Sequence, residues 1–215
     1  MPVVAMIQQK GGVGKSTITA NLAGELKELG HTVAVLDLDP QQSLLSWANF
    51  GNGLLKTIVE AIDTTDPRSL MVAMGRVGKS ADWTLLDCPP GLPDTGIMAA
   101  LVADLVLLPV SPSPLDFKAS KEAVQLVREA KERRKDKGPI IAFVPSRVEE
   151  NTVLGRDLAE SLKKLGEPVM PAISKRIAFA ECVLAGQTLR EYAPHNGGVG
   201  EFRNLAKAIE RILKG

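Results

Sequence analysis

A chain of 215 residues with 45% hydrophobic side chains can bury one large core without disulfides or a structural metal. Its two cysteines, Cys88 and Cys182, form no CxxC or Cys/His cluster, which excludes an iron–sulfur or zinc centre of that kind and suits a reducing compartment. The net charge of +1 divides into −4 over residues 1–110 and +5 over residues 111–215, and a basic second half suits either a polyanionic partner or plain solvated helix faces.

In chain order, an apolar run predicts a strand at Val3–Ile7. A helical pattern over Lys15–Leu29 follows, closed by Gly30 where a left-handed cap is wanted. A strand at Val33–Asp37, helices over Gln42–Asn49 and Arg68–Val77, and strands at Trp83–Asp87 and Leu105–Val110 come next. Then a helix over Leu115–Arg134, a strand at Ile140–Val144, a helix over Leu154–Leu165 closed by Gly166, and a weaker strand at Val169–Ile173 lead to a last helix over Glu201–Leu213. Most strands are apolar on consecutive residues, as strands buried on both faces of a parallel sheet are. The alternation predicts a single doubly wound α/β domain over residues 1–215, with a mostly parallel central sheet flanked by helices. Without a signal peptide or an apolar run of about 18 residues, a cytoplasmic location is expected.

The stretch QQKGGVGKST, residues 8–17, sits between the first strand and the first helix. Backbone N–H groups in a glycine turn converge on anionic oxygens, and the following helix presents its positive end. Gly11, Gly12 and Gly14 permit close approach to phosphate. Lys15 is placed to reach β- and γ-phosphates, Ser16 to ligate Mg²⁺, and Thr17 to donate to an α-phosphate. The G-x-x-x-x-G-K-[ST] pattern is not met in full, because residue 9 is Gln. In VLDLDPQQS, Asp37 and Asp39 alternate, so both face one side at the C-terminal edge of a strand. In WTLLDCPPG, Asp87 closes an apolar strand, and Cys88 beside it suits packing rather than chemistry.

K-G-G-V-G-K-S-T, Lys10–Thr17, resembles the deviant Walker A motif of the ParA/MinD superfamily of P-loop ATPases, and the resemblance runs the whole length of the chain. It implies ATP and Mg²⁺ as ligands, held by Gly11, Gly12, Val13, Gly14, Lys15, Ser16 and Thr17. It makes Lys10 the signature lysine that reaches the phosphates of a partner subunit's ATP, and hence implies an ATP-dependent homodimer. By the same resemblance, Asp39 orients the attacking water and Asp37 supports the Mg²⁺ shell. Asp87 holds Mg²⁺ through water, and Pro89–Gly91 matches switch II. VLLPVSPSPLDF is similar to the proline-rich loop bordering adenine, so Pro112 and Pro114 are expected at the base, with Arg147 nearby. No N-K-x-D motif for guanine occurs, which favours ATP over GTP.

Within the superfamily, the cysteines of iron–sulfur members and the tyrosine-rich tails of kinases are missing. The chain enters its first strand at residue 3, so no N-terminal helix-turn-helix domain is expected. The short ParA-type class that partitions plasmids or chromosomes or positions carboxysomes fits best. That class implies non-specific binding of double-stranded DNA in the ATP state, with nucleoid association, and a ParB-like or cargo-adaptor protein that stimulates hydrolysis. Lys175, Arg176, Arg203 and Lys207 are the expected DNA contacts. The basic run Lys131–Gly138 is a rival patch, equally a solvated helix end. A MinD-like membrane cycle is the alternative, should the last helix lie on a membrane instead of on the core; no stable membrane association is expected. A small-molecule ligase on the same fold would need a further polar pocket, and the sequence shows none.

Overall fold

The structure, a computed structural model, describes residues 1–214, the side chain of Pro67 excepted. Six strands, β1 (Val3–Met6), β2 (Val33–Asp37), β3 (Val59–Ala61), β4 (Trp83–Asp87), β5 (Leu105–Val110) and β6 (Ile140–Pro145), form an all-parallel sheet in the order β3-β2-β4-β1-β5-β6. In chain order the helices are α1 (Lys15–Glu28), α2 (Ser43–Asn49), α3 (Leu55–Ile58), α4 (Pro67–Val77), α5 (Pro93–Val102), α6 (Pro114–Glu132), α7 (Val153–Lys163), α8 (Ala178–Leu184), α9 (Leu189–Tyr192) and α10 (Gly197–Lys214). Successive strand residues serve opposite faces: Val4 and Met6 enter one core layer, Val3 and Ala5 the other. The first layer holds α1, α2, α3, α8, α9 and α10, and the second holds α4 to α7. Both faces are thus covered, and the strands read as unbroken apolar runs for that reason.

Register places the site. Asp87 pairs with Met6 on one side and Asp37 on the other, so the loops after β1, β2 and β4 leave the sheet side by side. The chain leaves β1 over one face through α1 and leaves its neighbour β4 over the other through α5. A crevice opens where adjacent strands part in this way, and ligands bind there in such sheets.

The expected strand at Val169–Ile173 is a correction. The segment runs beside β6, with the Met170 N–H donating to the Phe143 carbonyl and the Phe143 N–H to the Pro168 carbonyl, both at 2.8 Å. It makes only isolated bridges at Val169 and Ser174, because Pro168 has no N–H for the preceding rung and Pro145 of β6 has none for the following one. The last helix begins at Gly197, four residues earlier than its pattern predicted. Its apolar face is core: Phe202, Leu205 and Ile209 are buried with the α1 residues Leu22, Ala23 and Leu26. That face is therefore not presented to a membrane surface. No helix among the described residues is long and apolar enough to cross one.

Candidate functional site

Gly12 and Gly14 hold φ at +76° and +94°, left-handed values that a side chain would strain. They let the loop turn beside the crevice, which Gly11, Gly12 and Gly14 line. Among the described residues, none of the backbone N–H groups from Gly11 to Thr17 donates to a protein acceptor. This row of free donors at the start of a 14-residue helix is a cradle for an anion. The loop is braced from β6: the Ser146 hydroxyl donates to the Val13 carbonyl at 2.8 Å, and the Arg147 guanidinium to the Gly12 carbonyl at 2.7 Å. Arg147 itself holds φ at +54°, unusual for a residue with a side chain. A Cβ on Gly14 would stand 3.0 Å from the Ser146 hydroxyl oxygen, so the brace and the glycine fit only together.

Lys15 is buried, and its ammonium donates to the Gln8 carbonyl at 3.2 Å. Burial lowers its pKa, while the charges of Asp87, Cys88 and Asp39 oppose that shift. Asp87 is fully buried, and desolvation pushes its carboxyl up to about 7 against a hydrogen bond from Ser16 that favours the charged form. The Ser16 hydroxyl donates to one Asp87 oxygen at 2.6 Å, and the Thr19 hydroxyl lies 3.1 Å from the other. Two of the three residues expected around Mg²⁺, Ser16 and Asp87, are therefore in direct contact. Their donor set, a hydroxyl and a carboxylate, is hard oxygen, which Mg²⁺ prefers. Burial raises the Asp37 pKa, and backbone donors oppose the shift. Both Asp37 oxygens accept backbone N–H groups: one from Asp39 at 3.0 Å, the other from Leu44 and Leu45 at 3.1 and 3.0 Å. Its carboxylate thereby anchors the start of α2 beside Asp87. Asp39 is half-buried, accepts from the Gln41 N–H at 2.9 Å, and faces the crevice with Lys15 and Ser16.

The crevice has a volume of about 720 Å³. Gly11, Gly12, Gly14 and Thr17 line its phosphate end. Ile173, Ile177, Phe179 and Val183 give it an apolar lining as well, interspersed with the polar Arg147, Glu149, Ser174, Lys175 and Arg176. Pro112 and Pro114 are not among the residues that line it. Pro114 instead opens α6, whose third residue, Asp116, is buried and ion-paired with Lys10. Phe179, Ala180 and Val183 of α8 line the site although no sequence motif marks that segment as part of a nucleotide pocket.

Three of the four expected DNA contacts are engaged within the chain. Lys175 pairs with Glu149 at 2.9 Å, and Arg176 pairs with Glu201 at 2.5 Å. Arg176 also lines the crevice. Arg203 lies 3.6 Å from Glu25, a buried carboxylate that Arg190 also grips with two bonds of 2.7 Å. Lys207 is exposed on α10, in line with the exposed Arg211 and Lys214. Cys88 and Cys182 are both buried and free; burial raises the Cys88 pKa and pushes Cys182 up to about 11.

Residues 4–189 match the family model described as CobQ/CobB/MinD/ParA nucleotide binding domain. The chain is 31% identical to the maintenance of carboxysome distribution protein A of Halothiobacillus neapolitanus, over 98% of this chain and 94% of that protein. It is 30% identical to protein ParA of Rhizobium radiobacter, over 98% and 92%. Among solved structures, apo McdA of Cyanothece superposes with a TM-score of 0.80 at 17% identity, covering 97% and 99%. MinD of Pyrococcus horikoshii, solved with Mg-ADP, gives 0.78 at 20%, covering 98% and 96%. At those identities the structural likeness shows the fold. The braced glycine cradle, the Ser16–Asp87 contact and the sequence matches agree, and the chain belongs to the ParA/MinD family of nucleotide-binding P-loop ATPase domains.

Proposed function

We propose that this chain binds and hydrolyses ATP, closes on it as a homodimer, holds duplex DNA without sequence preference and positions or partitions a cargo. The observation that carries this reading is the single crevice facing Lys15, Ser16 and Asp39, with the unpartnered N–H groups of Gly11–Thr17 along its floor. These donors and the Lys15 ammonium hold phosphate oxygens, and Ser16 with Asp87 holds Mg²⁺, whose charge neutralises the leaving phosphates. Asp39 lines the crevice with its carboxylate tethered by one backbone bond, and in this reading it orients the water molecule for attack. Lys10 is not among the residues lining its own crevice and is ion-paired with Asp116; on closure it would turn to another chain's nucleotide. The apolar side chains Ile173, Ile177, Phe179 and Val183 in the crevice lining suit a purine base.

The relatives named for carboxysome distribution and partition support the positioning role, and the partner is then a ParB-like or adaptor protein that stimulates turnover. The buried face of α10 favours nucleoid DNA over a membrane as the surface bound in the ATP state. The test measures ATP turnover and nucleotide affinity separately for the wild type and Asp39→Ala. Turnover should fall at least about 10²-fold with affinity kept, the size of effect that loss of positioning gives. Equal turnover in the two proteins would remove Asp39 from the reaction, and absence of ATP binding in the wild type would remove the reading altogether.

A further inference from the structure

The Asp116 carboxyl is 3% exposed, and among the described residues its hydrogen-bond partner is the Lys10 ammonium. A buried carboxylate needs a counter-charge, because water no longer solvates it. The first turn of α6 supplies part of that, since helix N-termini favour anions. Lys10 supplies the rest. Its side chain is 39% exposed, yet its ammonium is engaged by this carboxylate of its own chain. Both ends of the pair are held firmly. The Gly91 N–H donates to the Gln9 carbonyl at 2.8 Å and Arg147 fixes Gly12, which clamps the loop on either side of Lys10. Pro112 and Pro114 restrict the chain that delivers Asp116, and Pro114 has no N–H to leave unpaired at the helix start.

We infer that Asp116 is the resting counter-ion of Lys10, a positioning residue that holds this lysine within its own subunit until a second nucleotide-loaded chain arrives. The inference rests on the proposed ATP-dependent self-association and names its control. Closure exchanges one anion for another: Lys10 leaves a single carboxylate for the denser negative charge of a partner's triphosphate. Leaving uncovers the buried Asp116, so that cost opposes closure. A chain without nucleotide then offers Lys10 no better partner and stays open. Dense phosphate charge on the second chain is the one ligand chemistry that outbids the carboxylate, and this ties self-association to the triphosphate state.

The prediction runs against the ordinary effect of a damaging substitution. Asp116→Asn keeps the shape, frees Lys10 and leaves no buried charge behind. It should self-associate with a non-hydrolysable ATP analogue and Mg²⁺ at protein concentrations about tenfold lower than the wild type, a factor worth about 1.4 kcal/mol. Sedimentation velocity across a protein dilution series reads this directly. In a Lys10→Gln background the same Asp116→Asn change should leave the midpoint where it was, because the pair no longer exists. If Asp116→Asn does not fold, Asp116→Ser, also suited to a helix N-terminus, replaces it in the series. A wild type that stays monomeric at saturating analogue overturns the proposed function. A wild type that self-associates while the Asp116 variant does so equally or less readily overturns the counter-ion role alone.

Discussion

Asp87 has its carboxyl fully buried, beside Lys15, with Ser16 and Thr19 hydroxyls directed at its two oxygens. Burial raises its pKa from 3.8 to about 7. The direction of the resulting pH dependence follows from where the proton sits. Below about pH 4 both folded and unfolded chains hold it, and between about 4 and 7 only the folded chain does. Stability of the nucleotide-free protein therefore falls as pH rises through that window, and the full cost is present above about pH 7. Asp87→Asn removes the charge and should raise the melting temperature at pH 8 by on the order of 2–4 °C, the shift that about 1 kcal/mol gives in a chain of this size. The difference should vanish near pH 4, and the same variant should lose Mg²⁺-dependent nucleotide affinity. Calorimetry at the two pH values checks the first claim, and an Asn variant less stable at pH 8 would refute it. The P-loop residues and both strand-end aspartates were legible in the sequence because glycine turns and acids at strand ends are local signals. The Asp37 bonds to Leu44 and Leu45 and the Lys10–Asp116 pair were not. The first depends on the fold of the next helix, and the second joins residues 106 positions apart.

α10 is held to α1 by its apolar face, and Phe202 is its largest fully buried side chain, 1% exposed. Its ring meets Phe179 edge-on, with centroids 5.6 Å apart and planes at 71°. Phe179 in turn lines the crevice. Phe202→Ala should therefore cost about 3–5 kcal/mol of stability and weaken nucleotide binding as Phe179 loses its support. Urea unfolding and nucleotide titration on the same variant check both, and an unchanged affinity would separate α8 from the core behind it. Elements whose burial follows one helical or strand period were readable from the sequence: α1, α4, α6 and α7 all lie where the pattern placed them, within a few residues. The missed elements break that rule for physical reasons. α5 is apolar on several faces because it lies between the sheet and its neighbours, so no period marks it. β3 is a three-residue edge strand of half-buried residues. α8 exposes Ile177 and Leu184, the reverse of a solvated helix face. The Gly197–Gly198 start of α10 reads as loop, yet a Cβ at Gly198 would stand 2.9 Å from Leu189 and 3.1 Å from Arg176, so glycine there is a packing requirement.

Across the whole molecule, the cations sort by partner rather than by sequence position. Arg203 lies beside Glu25 and Glu28, and Arg176 bonds to Glu201 while lining the crevice. Reversing either charge sets carboxylates against each other inside the fold, so Arg203→Glu should lower stability before it reports on any surface. Lys207, Arg211 and Lys214 stand apart from these clusters, exposed and at helical spacing along the outer face of α10. If the closed homodimer lays this face on duplex DNA, each side chain meets phosphate twice per dimer. Every phosphate contact contributes about 0.9 to the slope of log affinity against log salt. Lys207→Ala should then flatten that slope by about 1.8, and Arg211→Ala by a similar amount, with nucleotide affinity and thermal stability unchanged. Measured on the ATP-analogue-bound protein over a range of salt, the slopes distinguish this face from the basic run at residues 131–137, at the far end of α6. Slopes that stay at the wild-type value in both α10 variants, and drop when Arg133 and Lys135 are neutralised, would move the DNA surface to that end of the molecule.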